Sequence, residues 1–89
     1  MAKRLLISGH VQGVNYRESM RMQAVRHGIT GWVRNRHDGT VEAVVDGEAT
    51  DVEAIIAWAH RGPRGALVTG VDVSEVAGTF TAFERLPSE

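Results

Sequence analysis

Apolar residues alternate at the start of the chain. Between Lys3 and Gly9, Leu5 and Ile7 fall on one face of a short strand and Leu6 on the other. The alternation stops at Gly9, and the stretch to Tyr16, punctuated by Gly9 and Gly13, reads as a loop. From Arg17 to His27 the period becomes helical: Met20, Ala24 and His27 share a face, and Gly28 follows as a stop signal. Ile29 to Arg36 and Thr40 to Asp46 are extended again, joined through Asp38-Gly39, a short-range hairpin signal. In the latter strand Val41, Ala43 and Val45 form an apolar face, while Glu42 and Val44 make a mixed one.

Thr50-Asp51-Val52-Glu53 has capping-box spacing. The helix behind it carries Val52, Ile55, Ile56 and Ala59 on one stripe, and Gly62-Pro63 ends it. Ala66 to Val76 predicts a further strand with Val71 and Val73 inward. Thr79 to Arg85 predicts a short edge strand carrying Phe80 and Phe83. The order β-α-β-β-α-β plus a tail is the ferredoxin-like α+β sandwich, two helices on one face of an antiparallel sheet. The other face is expected to be more solvated. With 89 residues the chain reads as one domain spanning 1–89. The architecture hosts many unrelated functions, so function has to come from a site.

Composition narrows the classes. There is no cysteine, which excludes disulfides, thiolate zinc sites and thiol catalysis. The formal net charge is -1, so the basic footprint of a duplex-binding protein is missing. RNA-recognition domains share this strand order, but they stack bases on paired aromatics of central strands; here neither Lys3 to Gly9 nor Thr40 to Asp46 has an aromatic residue. The apolar run near Met1 is too short for a signal peptide, and no stretch approaches a membrane span. A cytoplasmic, monomeric protein with no nucleic-acid or membrane partner is the expectation.

Two segments carry candidate chemistry. In Gly9-His10-Val11-Gln12-Gly13-Val14-Asn15-Tyr16-Arg17 a strand leads into a glycine loop and then a helix start. Main-chain N–H groups there lack helical partners and sit at the positive end of the helix dipole, which makes an anion site. Gly13 allows the backbone to turn inward, and Arg17 adds a fork suited to phosphate oxygens. In the second segment, Gly28 to Glu42, Asn35 closes a strand with an amide that can donate and accept. From spacing alone, ordinary loop and turn roles compete with these functional ones.

Taken together and in this order, the two segments resemble the acylphosphatase signature. Its Gly-x-Val-Gln-Gly-Val-x-Phe-Arg is similar to Gly9 to Arg17, its fixed helical Ala to Ala24, its Gly-x-x-Gly-Trp-Val-x-Asn to Gly28 to Asn35, and its Asp-Gly-x-Val-Glu to Asp38 to Glu42. Tyr16 stands where the family commonly has Phe, and His27 where it commonly has Leu. The resemblance implies hydrolysis of a small acyl phosphate without a cofactor or metal. Arg17 would bind the phosphate, the backbone of Gln12, Gly13, Val14, Asn15 and Tyr16 would cradle it, and Asn35 would orient the water.

The other polar and aromatic residues receive structural expectations. No pair among His10, His27, His37 and His60 has ligand spacing. Trp32 and Trp58 are expected in the core. Asp38 is read as a turn residue and Glu18 as a first-turn residue favoured by the dipole, with neither expected beside Arg17 and Asn35. A non-catalytic phosphate-binding module is the competing function class, although binding alone would not need Asn35.

Overall fold

The computed structural model describes residues 2–89. The chain runs β1 (Ala2–His10), α1 (Tyr16–Arg26), β2 (Thr30–Asn35), β3 (Val41–Asp46), α2 (Ala49–Arg61), β4 (Leu67–Val76) and β5 (Phe83–Arg85). The strands make one sheet in the order β4-β1-β3-β2-β5. β1 lies antiparallel between β3 and β4, and β2 pairs antiparallel with β3. This is the ferredoxin-like arrangement, with one difference. β5 pairs parallel to β2, from Gly31 opposite Phe83 to Val33 opposite Arg85, so the sheet is mixed. β3 and β4 both run against β1, whereas β2 runs with it. A single reversal after β4 therefore brings β5 in along the direction of β2.

The two-residue period of the strands and the helical stripes build one core. Leu5, Ile7, Val33, Val41, Ala43 and Val45 are fully buried on the helix-facing side of the sheet. They meet Tyr16, Met20 and Ala24 of α1 and Val52, Ile55, Trp58 and Ala59 of α2. α1 begins at Tyr16, one residue before the expected start, and ends at Arg26. His27 is its C-cap and sits outside the stripe, half-buried, with its Nδ1 3.1 Å from Asp51 Oδ1. Gly28 follows at φ 67°. Its N–H donates to Val25 O at 3.2 Å, and the Ile29 N–H donates to Ala24 O at 2.8 Å. That bond pair is a Schellman closure, which requires the left-handed conformation glycine adopts freely.

Four expectations need correction. The capping box does not form: α2 starts earlier, with Glu48 as N-cap and no side-chain cap bond, so Thr50 lies inside the helix. The bond from Val52 N–H to Glu48 O at 2.9 Å sets that earlier start. Val73 pairs with Leu5 and so shares the core side of the sheet, but β4 is an edge strand and Val73 remains 43% exposed. Phe83 is buried in β5, whereas Phe80 precedes the strand. Trp58 is a core residue as expected, but Trp32 is not. Trp32 pairs with Val44 on the outer face of the sheet, where the Arg34 guanidinium lies 5.3 Å from its ring centre.

Candidate active site

Where β1 gives way to α1, a cleft of about 130 Å³ opens, lined by Val11, Gly13, Asn15, Tyr16, Arg17, Glu18, Asn35 and Arg85. Drug-sized ligands need several times this volume, so the cleft suits a small group. Arg17 enters it from the first turn of α1. Asn35 reaches it from the end of β2, where alternation puts Val33 and Asn35 on the helix side and Arg34 on the other. The two candidate residues of separate segments thus share one cleft.

The loop beneath them has an unusual backbone. Gly13 has φ 76° and Asn15 φ 65°; Asn15 is the one non-glycine residue with positive φ among the described residues. A Cβ at Gly13 would meet nothing within 4 Å, so glycine serves the turn there and not a close approach. Left-handed residues interleaved with ordinary ones turn successive N–H groups toward one side, forming a nest. Asn15 is also the N-cap of α1, and asparagine usually caps with its side chain. Here it makes no side-chain cap bond. The first intrahelical bond of α1 is Ser19 N–H to Asn15 O, 3.1 Å. The N–H groups of the preceding turn therefore lack intrahelical acceptors beside the cleft.

Other loop residues have different work. The Gln12 side chain does not line the cleft. Its Nε2 donates to Arg36 O at 2.7 Å and to Thr40 O at 2.9 Å, clamping the loop to the β2–β3 hairpin. Val14 packs against the core. The Tyr16 ring turns inward, 5.2 Å from the Trp58 ring, and its hydroxyl donates to Ala59 O at 2.7 Å. That carbonyl belongs to the last turn of α2, where helical donors run out. Burial pushes the Tyr16 phenol well above its usual range. Gln12 and Val14 thus send their side chains away from the cleft, so any part they take in it falls to their main chain, whereas Tyr16 is among the residues that line it.

The site holds two charged residues that sequence reasoning set aside or missed. Glu18 lines the cleft, bonded by Arg21 Nε at 3.0 Å and Nη2 at 2.6 Å. The hydrogen bond from Arg21 holds its carboxyl below the usual carboxylate range. An ionised Glu18 has no proton to offer near neutral pH. Arg85 also lines the cleft, from β5, with Nη1 3.5 Å from Glu18 Oε1. No periodicity marks Arg85, because its place depends on the parallel pairing of β5 with β2.

The segment after β5 completes the surroundings. Arg17 Nη1 donates to Leu86 O at 2.8 Å, which orients the guanidinium. The Leu86 N–H donates to Val33 O at 2.8 Å and the Glu89 N–H to Asn35 O at 2.9 Å, extending the run along β2. The Glu89 carboxylate accepts from His37 Nδ1 at 2.6 Å and lies 3.9 Å from Arg36 Nε. The His37 bonds and then the cation lower its pKa. Asp38 is a turn residue as read, accepting from Thr40 N–H at 3.0 Å and Thr40 Oγ1 at 2.6 Å. Among the described residues, no group of three or more His, Asp or Glu side chains could hold a metal ion. Among the same described residues, no helix is long and apolar enough to cross a membrane.

Comparison with known proteins places this architecture. The chain matches the acylphosphatase family over residues 3–84. It is 54% identical to an acylphosphatase of Azoarcus sp. over 90 aligned positions, 99% of this chain and 92% of that one. An acylphosphatase of Thiobacillus denitrificans is 56% identical over 91% of each chain. The solved structure of an acylphosphatase from Coxiella burnetii superposes with a TM-score of 0.92 at 35% identity, covering 96% of this chain and 90% of that one. The protein is an enzyme of the hydrolase class that acts on acid anhydrides. Within that class, the chain belongs to the acylphosphatase family.

Proposed function

We propose that this protein hydrolyses the carboxyl–phosphate bond of small acyl phosphates, with Arg17 and the amides of loop 12–16 binding the phosphoryl group and Asn35 orienting the attacking water. The observation that carries this reading is the shared cleft: Arg17, Asn35 and an uncapped helix start beside a left-handed loop line the same small space.

The chemistry asks little more of the protein. A carboxylate leaving group has a conjugate acid pKa of roughly 4, so it departs unprotonated. Water oxygen bonds to phosphorus as the bond from phosphorus to the acyl oxygen breaks, and the acyl oxygen keeps the electron pair. The water proton passes to a phosphoryl oxygen, giving carboxylate and dihydrogen phosphate. Such a transfer relies on positioning and charge stabilisation. Arg17 supplies a fork for the equatorial oxygens, and the side-chain amide oxygen of Asn35 holds a water in line. An ionised Glu18 is consistent with a mechanism that uses no general acid.

Benzoyl phosphate hydrolysis in the presence of EDTA tests the reading. Wild type is expected to turn over. Arg17→Ala and Asn35→Ala, each shown folded by circular dichroism, should lose about 10²–10³ in kcat or more. Wild-type rates in either folded variant would overturn the assignment.

A further inference from the structure

Arg85 has no part in the chemistry just described, yet it faces the same cleft as Arg17 and Asn35. Its side chain is 49% exposed, so it stands at the mouth. Its one acidic neighbour is Glu18 at 3.5 Å, and Glu18 is already held by two shorter bonds from Arg21. Arg21 therefore offsets the one carboxylate lining the cleft, while Arg85 keeps most of its five N–H donors for another acceptor. The cleft, at about 130 Å³, is small for a phosphoryl group together with an acyl arm of several atoms. The acyl arm must then leave through the mouth, past this second guanidinium.

We infer that Arg85 is a specificity-determining residue, which selects acyl phosphates whose acyl arm carries a second anionic group a few atoms from the carbonyl carbon. The inference rests on the function proposed above. A guanidinium fork pairs with a carboxylate or a second phosphate in two-point geometry, which a neutral arm cannot offer. The weak pair with Glu18 keeps the fork near the mouth and releases it when a stronger acceptor arrives.

The test compares succinyl phosphate with butyryl phosphate, which have the same chain length and differ in one terminal carboxylate. Wild type should show the higher kcat/KM on succinyl phosphate, with a preference that shrinks as salt rises. In Arg85→Gln the ratio of the two kcat/KM values should fall about five- to tenfold, mostly through KM for succinyl phosphate. Arg85→Lys, which keeps the charge and loses the fork, should fall between the two. An unchanged ratio in folded Arg85→Gln would overturn the inference. So would an equal rise of KM for both substrates, since that would place Arg85 on the phosphoryl group. If wild type hydrolyses neither substrate nor benzoyl phosphate, the proposed function fails and this inference with it. Hydrolysis with no preference between the two arms refutes this inference alone.

Discussion

The Tyr16 hydroxyl donates to the Ala59 carbonyl across the contact between the two helices. This bond gives the extra oxygen of tyrosine, relative to the phenylalanine common at this position of the signature, a partner inside the core. Tyr16→Phe keeps the ring against Trp58 and leaves a carbonyl of the last α2 turn without its partner. The expected cost is about 1–2 kcal/mol, read by urea denaturation, with turnover close to wild type. The pH dependence has a sign. Burial raises the phenol pKa above its usual 10.0, so the contribution is complete below that pH and is lost as pH rises beyond it. Wild type should weaken on the alkaline side more steeply than Tyr16→Phe. Parallel alkaline profiles for the two proteins would show that the phenol is not buried in this way.

Gln12 joins the two halves of the site. Both carbonyls it grips lie in the hairpin that follows Asn35, while the loop it belongs to leads into Arg17. Gln12→Glu would set carboxylate oxygens against those carbonyls and release the clamp. Phosphate binding should survive, because Arg17 and the loop amides share one body. Water placement should suffer, because Asn35 moves with the other. Small misplacements of this kind cost about a hundredfold in rate. Steady-state kinetics should therefore show kcat down ten- to a hundredfold by this estimate, with inhibition by inorganic phosphate nearly unchanged. Loss of phosphate inhibition in step with kcat would argue instead for general disruption of the loop.

On the outer face of the sheet, Glu42 is 6% exposed and bonded by Arg4 Nε at 2.7 Å and Arg34 Nε at 2.8 Å. Burial works to raise its pKa, but the bonds from Arg4 and Arg34 outweigh it and the net shift is downward. A lowered carboxyl stabilises the fold above its usual 4.5 and loses that contribution as pH falls through the lower, folded-state value. Glu42→Gln should be less stable near neutral pH by about 1–3 kcal/mol. The gap to wild type should close on acidification, which denaturation midpoints at several pH values would reveal. A gap independent of pH would contradict the ionic origin of the effect.

The leaving-group argument also sets a boundary on substrates. Alkyl phosphate monoesters expel an alkoxide, which needs protonation that Glu18, held ionised by Arg21, cannot supply near neutral pH. Glycerol phosphate should release phosphate far more slowly than benzoyl phosphate at equal concentration. Comparable rates would require an acid that the proposed mechanism lacks.

Much of this architecture was legible in local patterns. Leu5 and Ile7, Met20 and Ala24, and Val41, Ala43 and Val45 all face the core side that their periods imply. Gly28 closes α1 as its position suggested. What escaped depends on contacts between distant parts of the chain. The parallel seat of β5, and with it Arg85 in the cleft, follows from a crossing between sheet edges that no local period records. Trp32 is apolar enough for a core, yet its register opposite Val44 sends it outward to Arg34. The Thr50–Glu53 pair has the right spacing, but the N-cap is Glu48, two residues earlier, so a correct motif caps nothing. Arg17 and Asn35 were singled out by resemblance; their meeting in one cleft is a product of the fold.

The strand order has a kinetic consequence. Only β2 and β3 are both adjacent in the sheet and consecutive in sequence. β1 waits for β3 on one side and for β4, whose Val76 meets Ala2, on the other. Closing such long loops costs entropy before any contact rewards it, so folding should be slower than in a helical bundle of equal length. During synthesis the first strand stays unpaired until the middle of the chain has emerged, and the guanidinium of Arg17 finds its Leu86 anchor only after all seven elements exist.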